Sequence, residues 1–180
     1  MTKMNKLILV LPVLVLTFVS TASAQVLRIA TMQIVMGIPQ VLWVDLGADK
    51  LVFEEEDFDI TKDAILLEEG ILATKPAAVR VRAGGNIGYA IYASSLGDAF
   101  VGPRGARLPT SQMGYRRVGS SEDLPWQALK PKDSILEPIL VSPIAGESTF
   151  DMDYRLLATW QDAPGTYEGV IVYTVVPLES

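Results

Sequence analysis

A run of acidic side chains in the first half of the chain has the spacing of a calcium-binding loop. Hard cations prefer closely spaced carboxylate and hydroxyl oxygens, and a distal glutamate can complete the coordination shell. The residues that match this template are Asp57, Asp59, Thr61, Asp63 and Glu68. Lys62 stands where such loops carry glycine, and its positive charge opposes cation binding. The sequence therefore leaves two interpretations open: a metal site formed by the four acidic residues, or a solvated acidic loop.

The basic residues are concentrated in a glycine-rich stretch that could bind an anion. Guanidinium groups form paired hydrogen bonds with carboxylates and phosphates, and a neighbouring aromatic ring could stack on a sugar. The candidate ligand-binding residues are Arg104, Arg107, Tyr115, Arg116, Arg117 and Trp126. Trp126 lies in a proline-rich stretch and is expected to face solvent, whereas Trp43 and Trp160 are expected to pack in the core. The alternative interpretation is that the arginines only balance the charge of an acidic protein.

The composition excludes several classes of function. The chain contains neither histidine nor cysteine, so a Ser-His-Asp triad, an imidazole or thiolate metal site and a disulfide framework are impossible. No two of the 21 acidic residues stand out as a catalytic pair. The formal net charge of −6 argues against nucleic acid as a partner, because phosphate binding requires clustered positive charge. We therefore expect a protein that is not an enzyme and that requires no cofactor.

The start of the chain has the features of a secretory signal peptide. Lys3 and Lys6 precede an apolar stretch at residues 7–19, and Ala22 and Ala24 form a small-residue cleavage motif. The apolar stretch contains Pro12 and is shorter than the roughly 20 residues that a transmembrane helix requires. We expect cleavage after Ala24, which would leave a secreted or extracytoplasmic protein, in the periplasm or at the cell surface, without a transmembrane anchor.

Alternation of apolar and polar residues dominates the rest of the chain. The segments with a strand pattern are residues 27–36, 41–44, 50–53, 78–83, 87–93, 115–118, 153–161 and 167–176. Glycine- and proline-containing turns separate many of them. Only residues 63–70 have a helical pattern, and residues 96–108 are expected to form a loop. Several short strands separated by turns predict an all-β, antiparallel sandwich formed by residues 25–180 as a single domain.

The C-terminal segment carries a resemblance to known surface proteins. Residues 155–177 read RLLATWQDAPGTYEGVIVYTVVP, with Pro164, Gly165, Tyr167 and Gly169 at the turn and at the start of an apolar strand. This string resembles the closing hairpin of spore-coat-U-like pilins and of WxL-type cell-wall proteins, and residues 30–46 are similar to the opening strands of such exported domains. The W-x-L tripeptide itself is missing. The resemblance implies an immunoglobulin-like sandwich at the cell surface.

These observations predict a non-catalytic surface protein with a structural or adhesive role. Its expected partners are other surface proteins or further copies of itself. Assembly would use strand pairing, because main-chain hydrogen bonding needs no special side chains, and residues 26–36 are the candidate strand. The alternative function is a carbohydrate-binding module that holds a polysaccharide with exposed aromatic rings and arginines.

Overall fold

A computed structural model describes residues 36–118 and 125–178. The predicted signal peptide, residues 1–24, lies outside these described residues, and so do residues 26–35 of the predicted N-terminal strand. Residues from Ile38 to Ser180 form one compact unit. Within the described part of the chain, no helix is long and apolar enough to cross a membrane.

The described residues form an all-β fold in which the helical elements are short 3-10 turns. The strands are β1 (Leu42–Leu46), β2 (Ile65–Leu66), β3 (Gly70–Gly85), β4 (Tyr89–Ser95), β5 (Ala99–Val101), β6 (Arg107–Pro109), β7 (Met113–Val118), β8 (Gln127–Ala128), β9 (Leu140–Ser142), β10 (Gly146–Thr159) and β11 (Ile171–Pro177). The 3-10 turns are Glu55–Phe58, Pro103–Gly105 and Thr110–Gln112. The strand content confirms the all-β class expected from the alternating pattern.

Three antiparallel sheets make up the fold. The larger sheet has the order β1-β3-β10-β7-β8, with β2 also paired to β3. The second sheet has the order β11-β4-β9, and β5 and β6 form a two-stranded hairpin. The long central strands β3 and β10 pair from Gly85 opposite Gly146 to Gly70 opposite Thr159, so they fix the register of the larger sheet.

A bulge interrupts the pairing of β3 with β10. Met152 lies opposite Val79, but Tyr154 lies opposite Lys75, so β3 carries extra residues at this point. Ala77, within the bulge, has a φ of 47°, which is uncommon for a residue other than glycine. A bulge bends the strand and changes the direction of nearby side chains.

One core is shared by all three sheets. Its buried residues come from β3, β4, β5, β6, β7 and β10 and from the loops around Leu129 and Ile139, and include Val79, Val81, Ala83, Tyr89, Ile91, Phe100, Leu108, Tyr115, Met152 and Tyr154. Because strand side chains alternate, Arg80 and Arg82 lie on the opposite face of β3 and are exposed. We call this side of the larger sheet, turned away from the core, the outer face.

Three local predictions are wrong. Residues 63–70 are not helical, because Ile65 and Leu66 form strand β2 and pair with Leu72 and Ile71. Residues 50–53 form no strand, and residues 96–108 contain β5 and the start of β6 rather than only a loop. Short apolar runs are compatible with either helix or strand, so the partner strand decides between them.

Candidate binding site

The most distinctive group of side chains on the outer face consists of Arg116, Trp126 and Arg155, here called the arginine–tryptophan cluster. The guanidinium carbon of Arg116 lies 4.8 Å from the centroid of the Trp126 ring. The guanidinium carbon of Arg155 lies 4.6 Å from the same centroid. Both distances are within the range of attractive cation–π contacts, each of which contributes about 0.5–2 kcal/mol.

Strand register brings these three residues together. Arg116 lies on β7, Arg155 lies on β10, and Trp126 directly precedes β8. In the pairing of β10 with β7, Arg155 lies opposite Gly114, and Arg116 lies opposite Asp153. A Cβ atom at Gly114 would lie 2.8 Å from Nε of Arg155. The absence of a side chain at Gly114 therefore leaves the space that Arg155 occupies.

Asp153 holds Arg116 in place. Nε of Arg116 donates a hydrogen bond of 2.9 Å to one carboxylate oxygen of Asp153. The other carboxylate oxygen accepts a hydrogen bond of 2.8 Å from the backbone N–H of Ala77, at the bulge in β3. Asp153 is only 3% exposed, yet its carboxylate is matched by a charge and a backbone donor, as a buried carboxylate must be. The bulge, the carboxylate and the arginine thus form one rigid support.

Arg155 has a different environment. Its guanidinium contacts Trp126, and no carboxylate within the described residues pairs with it. Burial lowers the pKa of Arg155, and the nearby charge of Arg116 lowers it further. Arg155 stays protonated at neutral pH, because an arginine pKa lies far above 7. The cluster therefore places two positive charges side by side on an acidic protein.

The rest of the outer face also combines arginines with carboxylates and a tryptophan. Arg82 donates to Glu147 at 2.7 Å and lies 5.8 Å from the Trp43 ring. Arg80 pairs with Asp151 at 2.9 Å. These neighbouring arginines have acidic partners, which distinguishes them from Arg155.

The structure separates the residues that the sequence suggested for ligand binding. Arg116 and Trp126 lie together, as described above. Arg107 pairs with Asp98 on the β5–β6 hairpin at 2.6 Å, and Arg104 lies in the exposed turn between those two strands. Arg117 lies 5.9 Å from the ring of Phe150, a core residue. Tyr115 is 4% exposed and packs in the core against Tyr154, so it is not part of an exposed aromatic face.

The tryptophans also differ from expectation. Trp126 is half-buried rather than fully exposed. Trp43 does not lie in the core; it lies on the outer face, where a Cβ atom on Gly84 would come within 3.0 Å of its ring. Trp160 is 63% exposed, and its indole N–H donates to the backbone oxygen of Glu68. The core expectation is therefore wrong for Trp43 and for Trp160.

Two acidic residues of the calcium template, Asp57 and Asp59, have other partners. Asp57 pairs with Lys75 at 2.8 Å. Asp59 accepts two hydrogen bonds from Thr61 and lies 3.6 Å from Lys62. The hydroxyl of Thr61 is the main reason that the pKa of Asp59 is lowered. In the described part of the chain, no group of three or more acidic side chains is placed to hold a metal ion. The calcium interpretation of Asp57, Asp59, Asp63 and Glu68 has no geometric support.

Two open clefts lie away from the arginine–tryptophan cluster. One, of about 480 Å³, is lined by residues that include Arg117, Leu140 and Phe150. The other, of about 540 Å³, is lined by residues that include Glu55 and Phe58. Neither Arg116, Trp126 nor Arg155 lines either of these two clefts.

The edges of the two principal sheets form a second notable surface. β11 pairs with β4 along one side, and no backbone hydrogen bond of the described residues reaches its other side between Ile171 and Pro177. β1, an edge strand of the larger sheet, lies next to β11 without pairing to it. Two strand edges thus lie side by side.

Comparison with known proteins identifies no family. No family model matches the chain, and no curated protein matches it. Among solved structures, the chain is similar to a structure described as a family 123 glycoside hydrolase from Clostridium perfringens, in a report on glycolipid glycan hydrolysis. The identity is 15%, the TM-score is 0.33, and the match covers 77% of this chain. The chain spans only about a quarter of that hydrolase, since 25% of the hydrolase chain is covered.

Proposed function

We propose that the protein is a non-catalytic, exported surface protein with an immunoglobulin-like sandwich, and that it assembles with other copies by strand pairing. The observation that carries this proposal is the unpaired edge of β11. Export is supported by the basic start, the apolar stretch at residues 7–19 and the small-residue motif around Ala22 and Ala24. The lack of histidine and cysteine supports a non-catalytic role.

The composition of β11 makes its edge suitable for pairing. Ile171, Tyr173 and Val175 pack against the core, and the strand from Ile171 to Pro177 contains no charged residue. Proteins usually protect exposed sheet edges with charges, bulges or prolines, because an uncharged edge is a template for another strand. In β11 the only such feature is Pro177, at its end. The edge is therefore suited to accept a strand.

The sequence of residues 26–36 suits the role of the added strand. They read VLRIATMQIVM, with Arg28 as the single charged residue. They precede β1, whose edge lies beside β11. Residues 26–36 of one copy would add to β11 of the next, so that main-chain hydrogen bonds supply affinity.

The experiment is to measure the molecular mass of the chain that begins at Gln25, by light scattering after size exclusion, over a range of concentrations. We expect oligomers or fibres, and electron microscopy should show them. Thr174→Lys places a charge in the middle of β11 and should abolish assembly. Thr166→Lys introduces the same charge at an exposed turn residue and should leave assembly unchanged. A wild-type protein that remains monomeric at all concentrations would refute the proposal.

A second candidate function is a carbohydrate-binding module. It is favoured by the arginine–tryptophan cluster, in which two guanidinium groups border an indole ring on an open sheet face. The test is calorimetric titration with a panel of neutral and acidic oligosaccharides. If none of them binds, this candidate is wrong.

A further inference from the structure

We propose that Arg155, beside Arg116 on the ring of Trp126, binds the carboxylate of a uronic-acid unit in an acidic polysaccharide. This inference rests on the second candidate function, because it names the class of glycan that the module would hold. It is independent of strand-pairing assembly, because the cluster lies on the outer face of the larger sheet and β11 belongs to the second sheet.

The first support is the unmatched charge of Arg155. A guanidinium group has five N–H donors. Among the described residues, Arg155 has an aromatic contact but neither a carboxylate nor a hydrogen-bond acceptor for its guanidinium. By contrast, Arg80 and Arg82 on the same face each donate to an acidic side chain. Within the described part of the chain, Arg155 is thus a positioned cation that no acidic side chain pairs with.

The second support is the rigidity of the cation. Trp126 and the gap at Gly114 confine the side chain of Arg155. Arg116 is held by Asp153, and Asp153 is held by the backbone of Ala77. A preorganised guanidinium loses less conformational freedom on binding than a mobile one.

The third support is the shape of the surface. A carboxylate matches the planar fork of arginine, so the pair can form two parallel hydrogen bonds. The indole ring lies within contact distance of the same guanidinium and offers an apolar surface for the C–H groups of a sugar. Arg116 and Arg155 lie on the neighbouring strands β7 and β10, and a sheet face leaves room for a polymer to extend beyond the cluster on either side. Together these features favour an acidic glycan over a small anion.

The test is titration with hexagalacturonate and, as the matched neutral ligand, hexagalactose. We expect hexagalacturonate to bind and added salt to weaken it, because the contact is charged. Arg155→Gln should weaken binding about tenfold or more, the usual effect of losing a charged hydrogen bond. Arg80→Gln removes the same charge from the same face, but from an arginine that already has a partner, and should change binding less than about twofold. Arg155→Lys keeps the charge without the fork and should also weaken binding.

Each other outcome has a definite meaning. If neutral and acidic glycans bind equally well, the module remains and the acidic ligand is wrong. If neither binds, both proposals are wrong, whereas assembly through β11 is unaffected. If a phosphate-bearing polymer or an acidic peptide binds more tightly than hexagalacturonate, the ligand class is wrong.

Glu122 and Asp123 lie in the sequence just before Trp126. Binding that occurs only after Glu122→Gln and Asp123→Asn would mean that the chain itself supplies the anion, and it would overturn the inference.

Discussion

Replacement of Asp153 by asparagine tests the support beneath the arginine–tryptophan cluster. Asparagine has nearly the same shape and can still accept the hydrogen bond from the backbone of Ala77. It cannot offer a charge to Arg116. The mutation therefore isolates the ion pair, whose Nε–Oδ2 distance is 2.9 Å.

The loss of stability expected for Asp153→Asn depends on how deeply the ion pair is buried. Breaking a fully buried ion pair costs about 3–5 kcal/mol, whereas an exposed pair contributes about 0–1 kcal/mol. The side chain of Asp153 is 5% exposed, but that of Arg116 is 25% exposed, so solvent screens part of the interaction. We expect Asp153→Asn to lower the free energy of unfolding by about 2 kcal/mol. Asp153→Ala should lower the free energy of unfolding by about 1–3 kcal/mol more than Asp153→Asn, because the backbone N–H of Ala77 also loses its hydrogen-bond acceptor.

The assay is urea unfolding at neutral pH, with Asp151→Asn as the matched control. Asp151 pairs with Arg80 on the same face at the same distance of 2.9 Å, but the side chains are 30% and 64% exposed. The control should therefore lose clearly less stability than Asp153→Asn. Equal losses in Asp153→Asn and Asp151→Asn would refute the reasoning, because burial would then make no difference to the two pairs.

Three further predictions concern stability. The hydrogen bond from Arg80 lowers the pKa of Asp151. The stability that the ionised carboxylate contributes is complete above the unfolded pKa near 4 and is lost as pH falls through the lower folded pKa. Asp151→Asn should therefore flatten the acid limb of a plot of melting temperature against pH. Burial raises the pKa of Tyr173 to about 12 and that of Tyr154 well above 10.0. The stability that the two protonated phenols contribute is complete below about pH 10 and is lost as pH rises through their folded pKa values. Tyrosinate absorbance should therefore show these groups ionising together with unfolding. Ala77→Gly should raise the free energy of unfolding by about 1 kcal/mol in urea titrations, because glycine adopts the positive φ of 47° without strain; a loss of stability would contradict this.

Local alternation was sufficient to predict residues 78–83 as a strand, which is part of β3. Val79 and Val81 alternate with Arg80 and Arg82, and the valines lie in the core while the arginines are exposed. Glycine and asparagine favour turns, and β3 ends at Gly85, next to Asn86. Strand faces and turns depend on residues that are neighbours in sequence, so the local pattern is sufficient to predict them.

The errors arose where long-range pairing decides the outcome. The pattern at residues 63–70 was compatible with a helix, but Ile65 and Leu66 pair with β3 instead. Trp160 was expected in the core from the alternation of β10, but it follows the end of that strand and its backbone N–H bonds to Glu69. Neither partner strand nor strand end can be determined from the local pattern.

The same limit applies to the candidate site. Arg116 and Trp126 were identified because they lie close together in sequence among other arginines. Arg155 was missed, since it becomes their neighbour only through the pairing of β10 with β7. The expected arginine group was correspondingly divided, because Arg116 and Arg117 point to opposite faces of one strand.

The contrast between Arg116 and Arg155 separates a structural role from a binding role on this surface. Arg116 pairs with the buried carboxylate of Asp153, which also accepts a hydrogen bond from Ala77 at the bulge. This contribution to stability is a sufficient reason for an arginine at position 116. Within the described residues Arg155 has no such carboxylate, and burial together with the charge of Arg116 lowers its pKa. The contact with Trp126 offsets this cost only in part, since a cation–π contact contributes about 0.5–2 kcal/mol. An anion that approaches from solvent would relieve both the burial and the repulsion by Arg116. At one concentration, hexagalacturonate should therefore raise the stability of the wild-type protein more than that of Arg155→Gln.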